Sequence, residues 1–374
     1  MTLEEAFTGL ADPRTGPAQR HDLREMILMA LCAVLCGADT WVDVAEWAED
    51  NESWLRRYLV LVHGTPSHDT FGRVFRVLDA TVFEQCFRNW VSGLVGVIEG
   101  VVALDGKTVC GSRDGENTAL HMVSAYATAS GLCLGQEGTR GKGNEIAAIR
   151  ALLDTLTLKG CIVTLDAIGC QTEIAQQIAD RGGDYLLAVK DNQGKLADAL
   201  REFFADADAG GFGTLPVSRH ETVEKDHGRI ETRRALWVCE LAWLDRPIRQ
   251  HWPKLAGVGR VERRREIGGK TSTERAFYIG SKGIGDAETF AHAARSHWGV
   301  ENQLHWVLDV TFREDDCRVR KGHAPQNLSA LRKFALSLLR QDTQYPKRSV
   351  RSRRKTADRI PDYRASLLGL SPRG

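Results

Sequence analysis

Two aspartates close runs too apolar for a surface strand. Asp105 ends Val101-Val102-Ala103-Leu104, and Asp166 ends Cys161-Ile162-Val163-Thr164-Leu165. A carboxylate at the lip of a buried strand costs free energy unless something compensates it. Two such lips on one sheet can converge on a divalent cation, and hard, oxygen-preferring Mg2+ suits a site where phosphate supplies further ligands. Either residue alone also reads as a turn former, Asp105-Gly106 being a turn dipeptide. A third group lies in His297-Trp298-Gly299-Val300-Glu301-Asn302-Gln303-Leu304-His305. There His297, Glu301 and His305 fall at i, i+4 and i+8, on one helical face. That face suits zinc or iron; a Glu joining the two aspartates instead completes an all-oxygen site. Glu314, Asp315 and Asp316 compete for the third place and read as an acidic surface turn.

These groups need a frame to hold them. Leu23, Ile27, Leu31, Val34 and Leu35, then Val44, Trp47, Leu55 and Leu59, recur at helical spacing, so residues 20–95 read as helical. Gly64-Thr65-Pro66-Ser67 is a turn with Ser67 placed to cap a helix carrying Phe71, Val74, Phe75 and Leu78. A DNA-reading helix-turn-helix and plain helical packing both fit that pattern. From Val101 the period changes. Strands are expected at 101–105, 120–128, 131–136, 161–166 and 185–189, and helices over Ile146 to Leu153 and Gln171 to Arg181. The order β-β-β-α-β-α-β makes a hairpin pair feeding a mixed sheet with helical crossovers. Residues 214–280 turn strand-rich again, before helical spacing resumes at Ala287 and from Asn327 to Arg340. Trp298 and Trp306, eight apart, are expected in the core rather than against bases.

The 374 residues carry 50 Lys and Arg against 49 Asp and Glu, which excludes a strongly basic coat protein and an acidic disordered chain. Charge is nonetheless uneven. Residues 1–100 hold 8 Lys/Arg and 15 Asp/Glu, whereas residues 343–374 hold 9 and 2. The latter reads as a mobile basic arm able to neutralise phosphates, or as a solvated terminus. Arg260, Arg263, Arg264 and Arg265 read as a charged solvent face. Nine scattered cysteines fit free thiols in a reducing cytoplasm. The longest apolar run, Met26 to Cys36, is 11 residues, against the roughly 20 of a membrane span. No signal peptide is read at the N-terminus, and a cytoplasmic protein without membrane contact is expected.

Several stretches together carry a family likeness: Ala103-Leu-Asp-Gly-Lys107, Thr164-Leu-Asp-Ala-Ile-Gly-Cys-Gln171, Lys190-Asp-Asn-Gln193, His227-Gly-Arg-Ile-Glu231 and His297 through Asp309 to Asp316. The chain resembles bacterial insertion-sequence transposases of the DDE superfamily, in the H-repeat-associated (ISAs-type) branch. The resemblance implies a ribonuclease-H-like α/β catalytic domain at 99–341, with a strand-rich insertion at about 205–282 before the last catalytic helix. An N-terminal helical domain at 1–98, able to bind DNA ends, and a basic tail at 342–374 complete the expected layout. It implies Asp105, Asp166 and Glu301 as catalytic metal ligands. Two Mg2+ ions about 4 Å apart, with Mn2+ as substitute, would stabilise attacking and leaving oxygens at phosphorus. The implied partners are the element's terminal inverted repeats and target DNA, bound by a homodimer or larger assembly.

The implied reaction frees a 3′-hydroxyl at the element's end, and that hydroxyl then attacks target DNA. A nuclease that cuts without joining, and an inactive DNA-binding relative, are the alternatives. His297 and Leu308 stand where related insertion sequences place Arg and Lys, and Cys110 where a basic residue is expected. Contacts to DNA are therefore expected from Arg295, His297 or His305, with Lys107, Lys142, Lys190, His227 and Arg229 as further candidates.

Overall fold

The computed structural model describes residues 3–94, 98–115, 118–226 and 228–373, the side chains at 3, 4, 142 and 226 apart. Among them, nine strands form one sheet: β1 (Gly100–Val109), β2 (Leu120–Ala127), β3 (Leu132–Arg140), β4 (Cys161–Leu165), β5 (Asp184–Val189), β6 (Val217–Asp226), β7 (Arg229–Val238), β8 (Leu255–Ile267) and β9 (Lys270–Ser281). Their spatial order is β3-β2-β1-β4-β5-β9-β8-β7-β6. β1 runs antiparallel to β2 and parallel to β4, and β4 parallel to β5. Two antiparallel pairs feeding a parallel β1-β4-β5 centre make this half of the sheet ribonuclease-H-like, as expected. The parallel strands are apolar on both faces because helices cover both.

The helices are α1 (Leu3–Ala6), α2 (Leu23–Cys36), α3 (Trp41–Asp50), α4 (Glu52–Leu55), α5 (His68–Val77), α6 (Ala80–Leu94), α7 (Glu145–Asp154), α8 (Thr172–Asp180), α9 (Gly194–Gly210), α10 (Arg246–His251), α11 (Ala287–Gly299), α12 (Trp306–Thr311), α13 (Ala324–Arg340), α14 (Val350–Arg359) and α15 (Pro361–Leu368). Asp22 caps α2 by accepting from the Glu25 N–H at 3.0 Å, and Thr40 with Asp43 forms a capping box on α3. Among the described residues no single helix is long and apolar enough to cross a membrane.

The strand-rich insertion is no separate lobe. β9 pairs antiparallel with β5 through Leu186↔Gly280 to Val189↔Phe277, so the inserted strands widen the same sheet. Nor do the N-terminal helices keep a core of their own. Phe334 of α13 packs on Phe7, Phe83, Phe87 and Trp90, with ring centroids 4.5 Å apart for the Phe87 pair. Asn327 of α13 also donates to the Phe75 and Leu78 carbonyls at 2.9 Å, clamping the end of α5. Helix α13 is thus a central post, buried on nearly every side.

The C-terminal segment contradicts the mobile arm. α14 and α15 fold back on α2 and α13, and Arg353, Arg354 and Arg364 are buried. The last carbonyls of a helix have no partner within it, and a guanidinium carries five donors. Arg354 donates to the Val34 carbonyl of α2 at 3.1 Å and to Ala38 at 3.2 Å. Arg353 caps α13 at the Leu339 carbonyl, 2.6 Å away. Arg364 lies over the Trp54 and Trp47 rings at 3.9 and 4.9 Å. These charges hold the fold together rather than a polyanion.

Candidate active site

β1 does not stop at Asp105, as the apolar run suggested. It continues to Val109 against β2, with Asp105 opposite Ser124, whereas its pairing with β4 ends at Leu104↔Leu165. Asp105 and Asp166 are therefore the next residues along two adjacent strands, which lie about 4.8 Å apart. The turn reading of Asp105-Gly106 is excluded. Asp166, just beyond β4, accepts the Ile168 and Gly169 N–H groups on Oδ1 at 3.0 and 3.3 Å.

Glu301 stands on a π-helical stretch, Val300–His305, between α11 and α12. Such stretches interrupt α-helices frequently at functional sites. Because the turn is wider there, the i, i+4, i+8 face divides: His305 is buried, and Glu301 remains exposed. His305 Nδ1 lies 3.3 Å from Asp105 Oδ2. His297 Nδ1 is 3.0 Å from Thr164 Oγ1, one strand across.

The electrostatics tie these groups together. Burial pushes the Asp105 carboxyl up, but the His305 hydrogen bond and the charges of His305 and His297 outweigh it and leave Asp105 below its ordinary range. Burial and then the charges of Asp105 and Glu145 hold Asp166 above its ordinary value, against the Gly169 N–H. Burial and the Asp105 and Asp166 charges do the same to Glu301. Burial lowers His297 despite both aspartates. The Asp105 charge raises both Asp166 and Glu301, and repulsion of that kind is what an added dication relieves. Among the described residues no three His, Cys, Asp or Glu side chains already close around a point. The donor chemistry, all oxygen, still fits a hard divalent cation.

Sequence reasoning missed the pair behind Asp105. His121 on β2 and Glu145 at the start of α7 are buried, with Nε2 and Oε2 3.1 Å apart, and Thr108 Oγ1 meets His121 Nδ1 at 3.1 Å. The only available signal was Glu145 opening a helical stripe. A Cβ on Gly106 would overlap both the Glu145 carboxylate and the His121 imidazole. Gly106→Ala is accordingly expected to lower stability by about 1–3 kcal/mol, the range for overpacking. Urea denaturation checks this; an unchanged midpoint would mean that the pair moves freely aside.

Other sequence candidates land differently. Lys107 is not open to phosphate: its Nζ is taken by Asp309, by Glu314 Oε2 at 3.1 Å and by Asp315 Oδ1 at 3.3 Å. Glu314 is correspondingly no surface residue, being 1% exposed. Arg295 pairs with Glu224 at 2.9 Å, and Arg229 lies 3.7 Å from Glu231. Lys190 is exposed just past β5. His227 and the Lys142 side chain lie outside the described residues. Trp298 and Trp306 are 45% and 57% exposed, not core. Arg260 is buried and paired with Asp208 at 2.7 Å, unlike a solvent-facing arginine.

Comparison with known proteins gives the family. The chain matches the family described as "Transposase DDE domain" over residues 70–338, and "DDE_Tnp_1-associated" over residues 4–91. It is 38% identical to "Putative transposase YncI" of Escherichia coli O157:H7, covering 95% of this chain and 91% of that one. It is 37% identical to "H repeat-associated putative transposase YhhI" of Escherichia coli (strain K12), covering 98% and 97%. Among solved structures, a piggyBac transposase synaptic complex with hairpin DNA aligns at TM-score 0.42 and 10% identity, over 98% of this chain and 76% of the other. With its matched span covering both strand-borne aspartates and the π-helical glutamate, the chain belongs to the DDE transposase family.

Proposed function

We propose that this protein is an active DNA transposase whose catalytic carboxylates are Asp105, Asp166 and Glu301. What supports the reading is three carboxylates where β1, β4 and the π-helical turn meet, with the charge of Asp105 raising the other two. They would hold divalent cations, Mg2+ with Mn2+ as substitute and two ions in all, which supply Lewis-acid stabilisation of charge at the reacting phosphorus. Asp105, kept ionised by His305, is the permanent anion of the set. Asp166 keeps one oxygen against its two backbone N–H groups and the other free to bind. Glu301, on the exposed side of its turn, closes the site from the solvent side. Holding two element ends at once calls for a dimer or larger assembly on DNA.

The test uses the DNA flanking the reading frame. A pre-cleaved end with a free 3′-hydroxyl and a target plasmid are mixed with the full chain in Mg2+, Mn2+ or EDTA. Joined product in either cation and none in EDTA is expected. Nicking without joining would replace this reading with a nuclease, and binding without either with an inactive relative.

A further inference from the structure

The hairpin extension carries a cluster that the carboxylate site leaves unused. Glu231 of β7, 2% exposed, is approached by three guanidinium groups: Arg233, Arg265 with Nε 3.0 Å from Oε2, and Arg229 with Nε 3.7 Å away. Register explains the gathering. Glu231 pairs with Arg265, Arg233 with Arg263, and Arg229 with Ile267, so alternate residues of β7 and β8 share one face. Elsewhere on these strands simple pairs occur, as in Arg234 with Glu221 at 2.6 Å and Arg264 with Glu266 at 3.0 Å. With Glu224, which Arg233 and Arg295 both reach, two carboxylates here meet four guanidinium groups, a surplus of two positive charges. Arg233 shares itself with Glu224 at 2.9 Å, but the Arg229 and Arg265 side chains are 43% and 34% exposed. Among the described residues neither pairs with a carboxylate other than Glu231.

The same face leads to the carboxylates. Arg263, two residues from Arg265, lies over the exposed Trp298 ring at 5.2 Å. Trp298 precedes Glu301 by three residues. At about 3.4 Å per residue, the arginines therefore step outward along the strands from the helix that bears Glu301. A planar guanidinium fork matches phosphate oxygens in pairs, and a buried carboxylate beneath it fixes that fork in advance. We infer that Arg229, Arg233 and Arg265, organised by Glu231, form a phosphodiester-binding site that grips the DNA backbone beside the carboxylate centre. This rests on the transposase reading and adds to it where the strand lies.

The test is DNA binding by the full chain in EDTA, with a duplex of arbitrary sequence, since phosphate contacts are sequence-independent. Arg229→Ala and Arg265→Ala are each expected to make the slope of log affinity against log salt shallower by roughly 0.9. The double variant is expected to lose about tenfold in affinity at low salt. Arg264→Ala removes equal charge from the opposite face and is expected to stay within about twofold of the parent. Thermal melts accompany each variant, and Arg229→Ala, at the most exposed position, decides the matter if the double variant fails to fold. Parent-like affinity and slope in Arg229→Ala and Arg265→Ala overturn the site while leaving the transposase reading intact. Equal weakening by Arg264→Ala overturns it too, as an effect of net charge. No binding by the parent chain removes both.

Discussion

Replacing any one of the three carboxylates by its amide, in Asp105→Asn, Asp166→Asn or Glu301→Gln, is expected to lower divalent-dependent DNA cleavage at least about a thousandfold. That corresponds to roughly 4 kcal/mol of transition-state stabilisation. Binding in EDTA should change by no more than a few-fold. The amides keep the shape and remove one charge, so the loss is not one of folding. Stability should in fact move the other way. Burial and like charge raise Asp166 and Glu301, so ionising them opposes folding, and Asp166→Asn or Glu301→Gln should melt at or above the parent temperature without cations. Conversely, Mg2+ should raise the melting temperature of the parent chain by binding only the folded state, and each amide should shrink that shift. His305→Ala acts through Asp105 and is expected to cost about ten- to a hundredfold, the usual effect of removing a group that orients a ligand. Parent-like cleavage by any amide variant would remove that residue from the site.

Much of this arrangement is legible in the chain, and what is not has identifiable causes. The runs 101–105 and 161–166 are apolar on both faces because β1 and β4 lie in the middle of the sheet, and that burial is written in composition. Where β1 ends is not. Gly106, Lys107 and Thr108 carry no strand signal, and they extend β1 because β2 pairs there in another part of the chain. Glu301 is visible as a helical residue, but the π-turn that separates it from His305 leaves no mark in the helical spacing. Arginines mislead most. A charge count treats Arg353, Arg354 and Arg364 as solvated, yet each finds carbonyls or indole rings that become neighbours only after folding. The same blindness made Lys107 a phosphate ligand and Glu314 a surface turn, two halves of one buried ion pair read as separate exposed charges.

That pair sets the second large effect, on stability. Lys107→Met keeps the length of the side chain and leaves Glu314 buried without its nearest cation. The expected loss at neutral pH is about 3–5 kcal/mol, the range for breaking one partner out of a buried pair. The pH dependence identifies the cause. Burial pushes the Glu314 carboxyl up, but the charges of Lys107, Arg332 and Lys333 outweigh it and bring the folded value down to about 2. A group depressed on folding adds stability above its unfolded value, near 4.5, and gives it up as pH falls from there toward about 2. Without Lys107 the burial contribution gains ground, the folded value rises, and acid relieves the buried charge. The gap between parent and Lys107→Met should therefore be widest at pH 7 and narrow as unfolding is measured toward pH 4. Urea unfolding across that range decides it: a gap below about 1 kcal/mol, or one that does not change with pH, would show that Lys107 and Glu314 do not depend on each other.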